Sequence, residues 1–270
     1  MRVASWNVNS LKARLEHVLD YCRAGHTDCL MLQELKLSDE NFPHQAFADI
    51  GWNSVCHGQK TYNGVAILSP FEITDVVRGL PHLTPEDSED IQSRYIEATV
   101  NGVRLGAIYL PNGNPCPGPK FDYKLQWMAR LEAHAKTLLA GEMPVILAGD
   151  YNVMPQAIDC YDPASWQGDA LWHPESRAAF FRLSHLGYTD AIRAIHPTGA
   201  QYSYWDYQAG AWPRDNGIRI DHLMLSPEAA DKLVNAGVNR APRGLERPSD
   251  HTPVWVEMAL NSAAACLLYT

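Results

Sequence analysis

The chain has 270 residues, with 22 Lys and Arg against 31 Asp and Glu, for a formal net charge of −9. Hydrophobic residues make up 46% and charged residues 20%, which excludes a disordered, collagen-like or coiled-coil chain. No apolar run approaches the ~20 residues that cross a bilayer, and the acidic balance weighs at first against nucleic acid, whose binders usually carry a basic footprint.

In chain order, Arg2–Trp6 reads as a short apolar strand that ends in Asn7-Val8-Asn9-Ser10. Ser10 stands where a helix N-cap belongs. Leu11, Leu15, Val18, Leu19 and Cys22 follow at helical spacing, and Gly25 is placed to stop the helix. Cys29–Glu34 is too short for a helix and reads as a buried strand. Strands are then expected around Asn53–His57, Gly64–Ser69, Glu72–Val77, Arg94–Val100 and Arg104–Tyr109, with Asn101-Gly102 as a two-residue hairpin turn between the last two. Residues 110–119, rich in proline and glycine, must be a loop. A helix follows with Leu125, Met128, Leu131, Ala135 and Leu138 on one face, and then the buried strand Pro144–Ala148. Residues 155–200 read as helix and loop. Gln201–Tyr207, Arg219–Leu225, Ala236–Arg240 and Thr252–Met258 read as strands, with a short helix near Pro227–Val234. No linker or repeat divides the chain, so one domain of two packed sheets is expected over residues 1–258. Residues 259–270 have no partner pattern and are left out of that domain as a tail. The six cysteines (22, 29, 56, 116, 160 and 266) form no Cys-x-x-Cys pair and read as reduced thiols. The first residues lack a charged-then-apolar leader, so a cytoplasmic protein is expected.

Polar residues recur at strand ends. Asn7 and Asn9 follow the first strand, Glu34 ends the second, Asp150 and Asn152 follow the strand at 144–148, and Asp250-His251 precede the last. In open α/β sheets such groups converge on one rim. Oxygen ligands without cysteine suit magnesium or manganese rather than zinc. A histidine beside carboxylates suits proton transfer. Each residue alone reads equally as a cap or turn; Glu34 and Asp150 stand out because each follows at least four apolar residues. Tyr109 ends another strand and reads equally as a core aromatic. Gln201–Tyr207 holds four aromatics in seven residues, with Trp212 beyond. Strand alternation would put Tyr202, Tyr204 and Asp206 on one face and Ser203, Trp205 and Tyr207 on the other. That is either sheet packing or an aromatic wall for an unstacked nucleotide. No Walker loop, Gly-x-Ser-x-Gly elbow or His-Glu-x-x-His is present.

Seven blocks taken together resemble the exodeoxyribonuclease III family of bacterial abasic-site endonucleases, in the endonuclease/exonuclease/phosphatase superfamily. They are Ser5–Asn9, Leu32–Lys36, Asn63–Ile67, Tyr109–Gly113, Gly149–Val153, Arg219–His222 and Ser249–Val254, in the family's order. The resemblance implies a four-layer α/β sandwich, two mixed β-sheets face to face with helices outside, of the deoxyribonuclease I-like kind. It implies Glu34 as principal Mg2+ ligand (Mn2+ as substitute), with Asn7, Asp150, Asn152, Asp250 and His251 around the metal. Asp150 would activate water, Asn152 and Asn112 would hold phosphate oxygens, and His251, supported by Asp221, would contact the scissile phosphate. Tyr109 would donate to the phosphate or assist it as phenolate. Tyr204, Trp205 and Ile220 would form an apolar pocket for a flipped sugar, with Trp212 beside them. Asn9 stands where human-type relatives carry aspartate. The implied substrate is double-stranded DNA with abasic sites or 3′ ends, cut by a monomer to leave 3′-hydroxyls. The competing readings are a phosphatase or sphingomyelinase of the same superfamily, which would need an inositol or lipid-head pocket, and a non-catalytic binding module, which would have lost Glu34, Asp150, Asn152 or His251.

The net charge of −9 then bears on binding mode. Four acids lie in the segment Glu86–Asp90 and four, Glu34, Asp150, Asp221 and Asp250, in the expected site. Without them acids and bases nearly balance, so a local basic rim is compatible with DNA.

Overall fold

The computed structural model describes residues 1–259; the tail expected from 259 onward lies, but for Ala259, outside the described residues. Along the chain run β1 (Arg2–Asn7), α1 (Leu11–Arg23), β2 (Cys29–Gln33), α2 (His44–Ala48), β3 (Asn53–His57) and β4 (Val65–Ser69). Then come β5 (Thr74–Arg78), β6 (Tyr95–Val100), β7 (Val103–Tyr109), α3 (Pro119–Leu139), β8 (Val145–Asp150) and α4 (Pro174–Leu186). The last third holds β9 (Thr189–Asp190), α5 (Ala191–Ile195), α6 (Ala211–Arg214), β10 (Asp221–Leu225), α7 (Pro227–Ala230), β11 (Leu233–Val238) and β12 (Val254–Met258). The strands form two six-stranded mixed sheets, ordered β11-β12-β1-β2-β4-β3 and β5-β6-β7-β8-β10-β9.

The layering follows from residues buried on both faces of the central strands. Val3, Met31 and Ile67 of the first sheet meet Ile96, Leu105, Ile146 and Leu223 of the second in a core between the sheets. The alternate residues of the same strands, Ala4, Trp6, Leu30 and Leu32, pack outward on α1 and the chain around Phe42–Trp52. Leu147 and Tyr95 pack outward on α3 and α4 through Trp127, Leu131 and Phe180. A strand buried on both faces carries a continuous apolar run, which is what makes β2, β4 and β8 visible in sequence. The expected four-layer sandwich is thus the observed one.

Pairing register brings the polar strand ends together. Asn7 is level with Gln33 across the parallel pair β1–β2, so Glu34 lies one residue further along the same rim. In the second sheet Tyr109 is level with Asp150, and Asp150 with Asp221. Ser5 pairs with Val254, which carries Asp250-His251 to the same end. Gly149 makes close pairing of β7 and β8 possible, because a Cβ there would overlap the Ile108 carbonyl.

Several local expectations change. Ser10 does precede α1, but φ 88 turns its side chain from the capping geometry and it makes no cap hydrogen bond. Gln201–Tyr207 is not a strand; only Tyr204 forms bridges there, to Ile218 and His251. The alternation expected for it therefore fails: Ser203 and Trp205 are fully buried while Tyr207 is 50% exposed. The helix expected to reach Val234 ends at Ala230, and β11 starts at Leu233. The hairpin turn holds, with Asn101 and Gly102 at φ 49 and 75. Cys22, Cys29, Cys56, Cys116 and Cys160 are free thiols. No helix among the described residues is long and apolar enough to cross a membrane.

On the outer face of the second sheet, buried Glu97 accepts from Tyr95 Oη at 2.6 Å, Arg104 at 2.5 Å and His134 at 2.8 Å. Burial alone would raise this carboxyl, but His134, Tyr95 and Arg104 outweigh it and hold it at about 2. A carboxyl depressed in the folded state stabilises it above the unfolded value and loses that contribution as pH falls through the folded value. Glu97→Gln is therefore expected to unfold at lower urea at pH 7, with the gap from wild type narrowing between pH 4.5 and about 2. A gap independent of pH would disprove this role.

Candidate active site

The converging strand ends line a cleft of about 310 Å³ between the sheets. Its polar side is Glu34, Tyr109, Asn112, Asn114, Asp150, Asn152, Asp169, Asp250 and His251. Its apolar side is Trp166, Leu171, Tyr204 and Ile220.

At the floor, one ligand atom each from Glu34, Asp150 and His251 lie within 4.8 Å of one another. Asn7 ties the acids together, donating from Nδ2 to Glu34 Oε1 and to Asp150 Oδ2, both at 2.9 Å. Its Oδ1 accepts from the backbone N–H of Asn9 at 3.0 Å, so the amide side of Asn7 faces the carboxylates. Lys36 Nζ lies 2.9 Å from Glu34 Oε2 and also donates to Asn9. Burial alone would raise the Glu34 carboxyl, but the Asn7 hydrogen bond and the Lys36 ammonium hold it below its usual range. Glu34 sits at φ 54, a left-handed conformation that costs about 1 kcal/mol or more outside glycine. The backbone bonds Leu35 N–H to Gly64 O and Lys36 N–H to Asn63 O hold that turn.

His251 is clamped between acids. Its Nδ1 lies 2.8 Å from Asp221 Oδ2 and its Nε2 3.7 Å from Asp150 Oδ2. Burial alone would lower the imidazole, but Asp221 and Asp150 raise it strongly, which favours its protonated form. Asp221 Oδ2 also accepts from Ser203 Oγ at 2.6 Å. Its Oδ1 is buried without a hydrogen-bond partner among the described residues. Burial pushes the Asp150 carboxyl upward, with Asp221 and Glu34 adding to it against the pull of His251. Tyr109 is pushed up by burial and by the Glu34 and Asp150 carboxylates, which favours its neutral, proton-donating form.

The donor set suits a hard divalent cation. The Glu34 and Asp150 carboxylates crowd one point, and their mutual repulsion is only partly met by His251 and Lys36. Asp250 borders the same cleft but belongs to no three-residue cluster with Glu34 and Asp150 among the described residues; its Oδ1 accepts from Asn9 Nδ2 at 3.1 Å. Asn152 adopts φ 48, and its backbone N–H turns back onto Asp150 Oδ1 at 2.9 Å. Its Nδ2 donates to Leu110 O at 2.9 Å and its Oδ1 accepts from Asn112 Nδ2 at 3.3 Å, which leaves each carboxamide a second proton to offer.

Of the aromatics expected at the site, the structure brings Tyr204 into the cleft, its ring 5.0 Å from that of His251. Ile220 lines the same wall. Trp205 is fully buried and donates to Asp215 Oδ1 at 3.0 Å, and it borders no part of the cleft. Trp212 packs edge-on against it at 4.8 Å and also lies off the cleft. The apolar wall is completed by residues the sequence reading passed over. Trp166 and Leu171 line it directly, and Ile218 clusters with Ile220 and Leu171 behind it. The alternation Ile218-Arg219-Ile220 was the signal for the last. Arg219, wholly buried, holds this segment by ion pairs to Asp159 at 2.7 Å and Asp190 at 2.8 Å. Lys124 was also missed. It lies behind Asn112 and Asn152, and burial pushes it down to about 7.

Asp221→Asn is expected to lower the His251 pKa by removing the largest charge that holds the imidazolium. Histidine NMR titration of metal-free protein reads this directly, and an unshifted His251 would show that Asp150 alone sets its charge.

Residues 4–251 match the Endonuclease/Exonuclease/phosphatase family. The chain is 32% identical to exodeoxyribonuclease III of Haemophilus influenzae, over 95% of this chain and 99% of that one. It is similar to the structure of the 3′ phosphatase NExo from Neisseria bound to a product DNA hairpin, with TM-score 0.92 and 42% identity over 96% of this chain and 100% of that one. It is also similar to an AP endonuclease structure from Archaeoglobus fulgidus, with TM-score 0.91 and 33% identity over 96% and 100%.

Proposed function

The chain belongs to the Endonuclease/Exonuclease/phosphatase family, in its exodeoxyribonuclease III branch, and from that premise we propose how its site acts on DNA. It is a DNA-repair phosphodiesterase. Its substrates are duplex DNA with an abasic site, cut on the 5′ side, and 3′ ends, from which it removes blocks or nucleotides. It works as a cytoplasmic monomer and uses Mg2+, with Mn2+ as a substitute.

The observation that carries this reading is the meeting of Glu34, Asp150 and His251 within 4.8 Å, beneath phosphate-binding donors and beside an apolar wall. In-line attack on a phosphodiester builds charge on the non-bridging oxygens and on the leaving 3′ oxygen. Donors placed where that charge develops are worth most in a dry cleft. Asn112, Asn152, Tyr109 and the His251 imidazolium are such donors. Asp150, whose burial raises its affinity for a proton, takes one from the attacking water. The water oxygen bonds to phosphorus, the P–O3′ bond breaks, and the leaving O3′ takes a proton from solvent, giving a 3′-hydroxyl and a 5′-phosphate. Glu34 and Asp150, with Asp250, Asn7 and Asn152 around them, would hold a divalent cation that supplies positive charge to the phosphate; the His251 imidazolium, having no free lone pair, would face the phosphate instead of joining the expected ligands.

Two labelled duplexes test this, one with a single abasic analogue and one intact with a recessed 3′ end. Both are expected to be cleaved with Mg2+ and spared with EDTA, and indifference of both to metal would overturn the reading. Tyr204, on the apolar wall, is assigned to the flipped sugar, since flipping costs least where no base must be unstacked. Tyr204→Ala is expected to lower abasic-site cleavage about 10-fold, the scale of one lost ring contact, while 3′-end removal changes little. Equal loss on both substrates would place Tyr204 at the phosphate instead.

A further inference from the structure

The apolar stripe of α3 carries a lysine. Phe121, Lys124, Met128, Leu131 and Ala135 follow the 3-4 spacing of a buried helix face, and all five are buried. Lys124 is 0% exposed. All three of its hydrogen bonds go to backbone carbonyls: Asn152 O at 2.6 Å, Asn112 O at 3.0 Å and Ala170 O at 3.3 Å. Contacts to three separate loops need all three protons of the charged amine, so these carbonyls bind the form that burial opposes. Burying it is costly, and a methionine would fill the same space without that cost. The lysine is therefore needed for what it binds.

Two of those carbonyls belong to the residues assigned to the phosphate. The segment around Asn112 is moulded on the lysine stem: Gly113 has φ +91, and a Cβ there would lie 2.6 Å from Lys124 Cδ and 3.1 Å from Ala170 Cβ. On the far side Asn114 closes the same junction, donating to Asp169 Oδ2 at 3.1 Å and accepting from Ala170 N–H at 3.0 Å. The Asn152 turn stands in left-handed backbone, φ 48, and needs support to stay there. The two carboxamides touch, Asn112 Nδ2 to Asn152 Oδ1, at 3.3 Å. Their relative placement therefore depends on both main chains being pinned at one point.

We propose that Lys124 is a positioning residue of the nuclease site, whose ammonium fastens the Asn112 and Asn152 main chains so that both carboxamides face the scissile phosphate. This rests on the assignment of Asn112 and Asn152 to phosphate oxygens. Lys124 touches neither DNA nor metal and acts through those two residues. A displacement of about 1 Å in such donors costs on the order of 10²-fold in rate. The loss falls on the chemical step, because the donors contribute most in the transition state.

The test is steady-state and single-turnover cleavage of the duplex substrates by full-length Lys124→Met, with Lys124→Gln, Asn152→Ala and the wild-type chain in parallel. Circular dichroism checks folding. Expected for folded Lys124→Met is a kcat about 10²-fold down and KM within about 3-fold of wild type. Adding Asn152→Ala to Lys124→Met is expected to cost less than the product of the two single losses, since both remove the Asn152 placement and only that of Asn112 remains to be lost. Lys124→Gln, which keeps two donors without the charge, is expected to recover part of kcat. A folded Lys124→Met with wild-type kcat and only a lower Tm overturns the proposal, as does a loss confined to KM. If neither substitution folds, Lys124 belongs to the fold and the positioning role is overturned. Wild-type activity in Asn152→Ala would instead sink the phosphate assignment beneath it, a result read without any change at position 124.

Discussion

Three carboxylates, Glu34, Asp150 and Asp221, are brought to one end of two facing sheets, and the site is built around keeping them there. A buried carboxylate without compensation costs several kcal/mol, and neighbouring acids raise one another. The fold meets this with a small number of groups in fixed places. Asn7 directs its carboxamide Nδ2 at both Glu34 and Asp150. The His251 imidazolium lies between Asp221 and Asp150. Lys36 neutralises Glu34 from the rim. What remains is an excess of negative charge at the cleft floor, and a divalent cation together with a phosphate-facing imidazolium answers it. The electrostatic tension of the floor and the chemistry of the loaded site are therefore the same arrangement.

That arrangement depends on register more than on any one side chain. Tyr109, Asp150 and Asp221 are level because β7–β8–β10 pair in one register, and Asn7 stands beside Glu34 because β1 and β2 are parallel. A slip of one residue would turn every one of these groups to the other face. The inter-sheet core fixes the register, since Val3, Met31, Ile146 and Leu223 can be buried between the sheets only in this alignment. Packing and chemistry are coupled through the period of two along each strand.

The sequence made this part legible for the same reason. Runs such as Cys29–Leu32 and Val145–Ala148 need burial on both faces, and an acid directly after such a run must sit at a strand end. The residues at 201–207 were misread because aromatic density looks like a strand whether or not the backbone pairs. Here the main chain makes single bridges instead, Tyr204 to Ile218 and His251, with Trp205 N–H bonded to Asp250 O. Trp205 is taken up by packing under Trp212 and Arg240. Lys124 was invisible for a different reason: a lysine on a helix is assumed to reach solvent, and its spacing within the apolar stripe carries meaning only once the three carbonyls opposite it are known.

The net charge of −9 acquires its place from this geometry. Non-specific affinity for DNA grows with the number of phosphates neutralised and falls steeply with salt, so an acidic chain gains little from long-range attraction. Its cations are local. Arg94 lies over the Tyr109 ring at 4.9 Å, and Arg240 and Arg243 flank Trp212 at 5.1 Å and 5.5 Å. Arg14 is held by Asn9 and Pro248 carbonyls at the entrance beside Asp250. On the function proposed above, discrimination then has to come from the cleft, whose donors would meet one phosphate and whose wall of Tyr204 and Ile220 would meet one sugar. Weak general binding and local chemistry are, on that proposal, the two sides of one charge distribution.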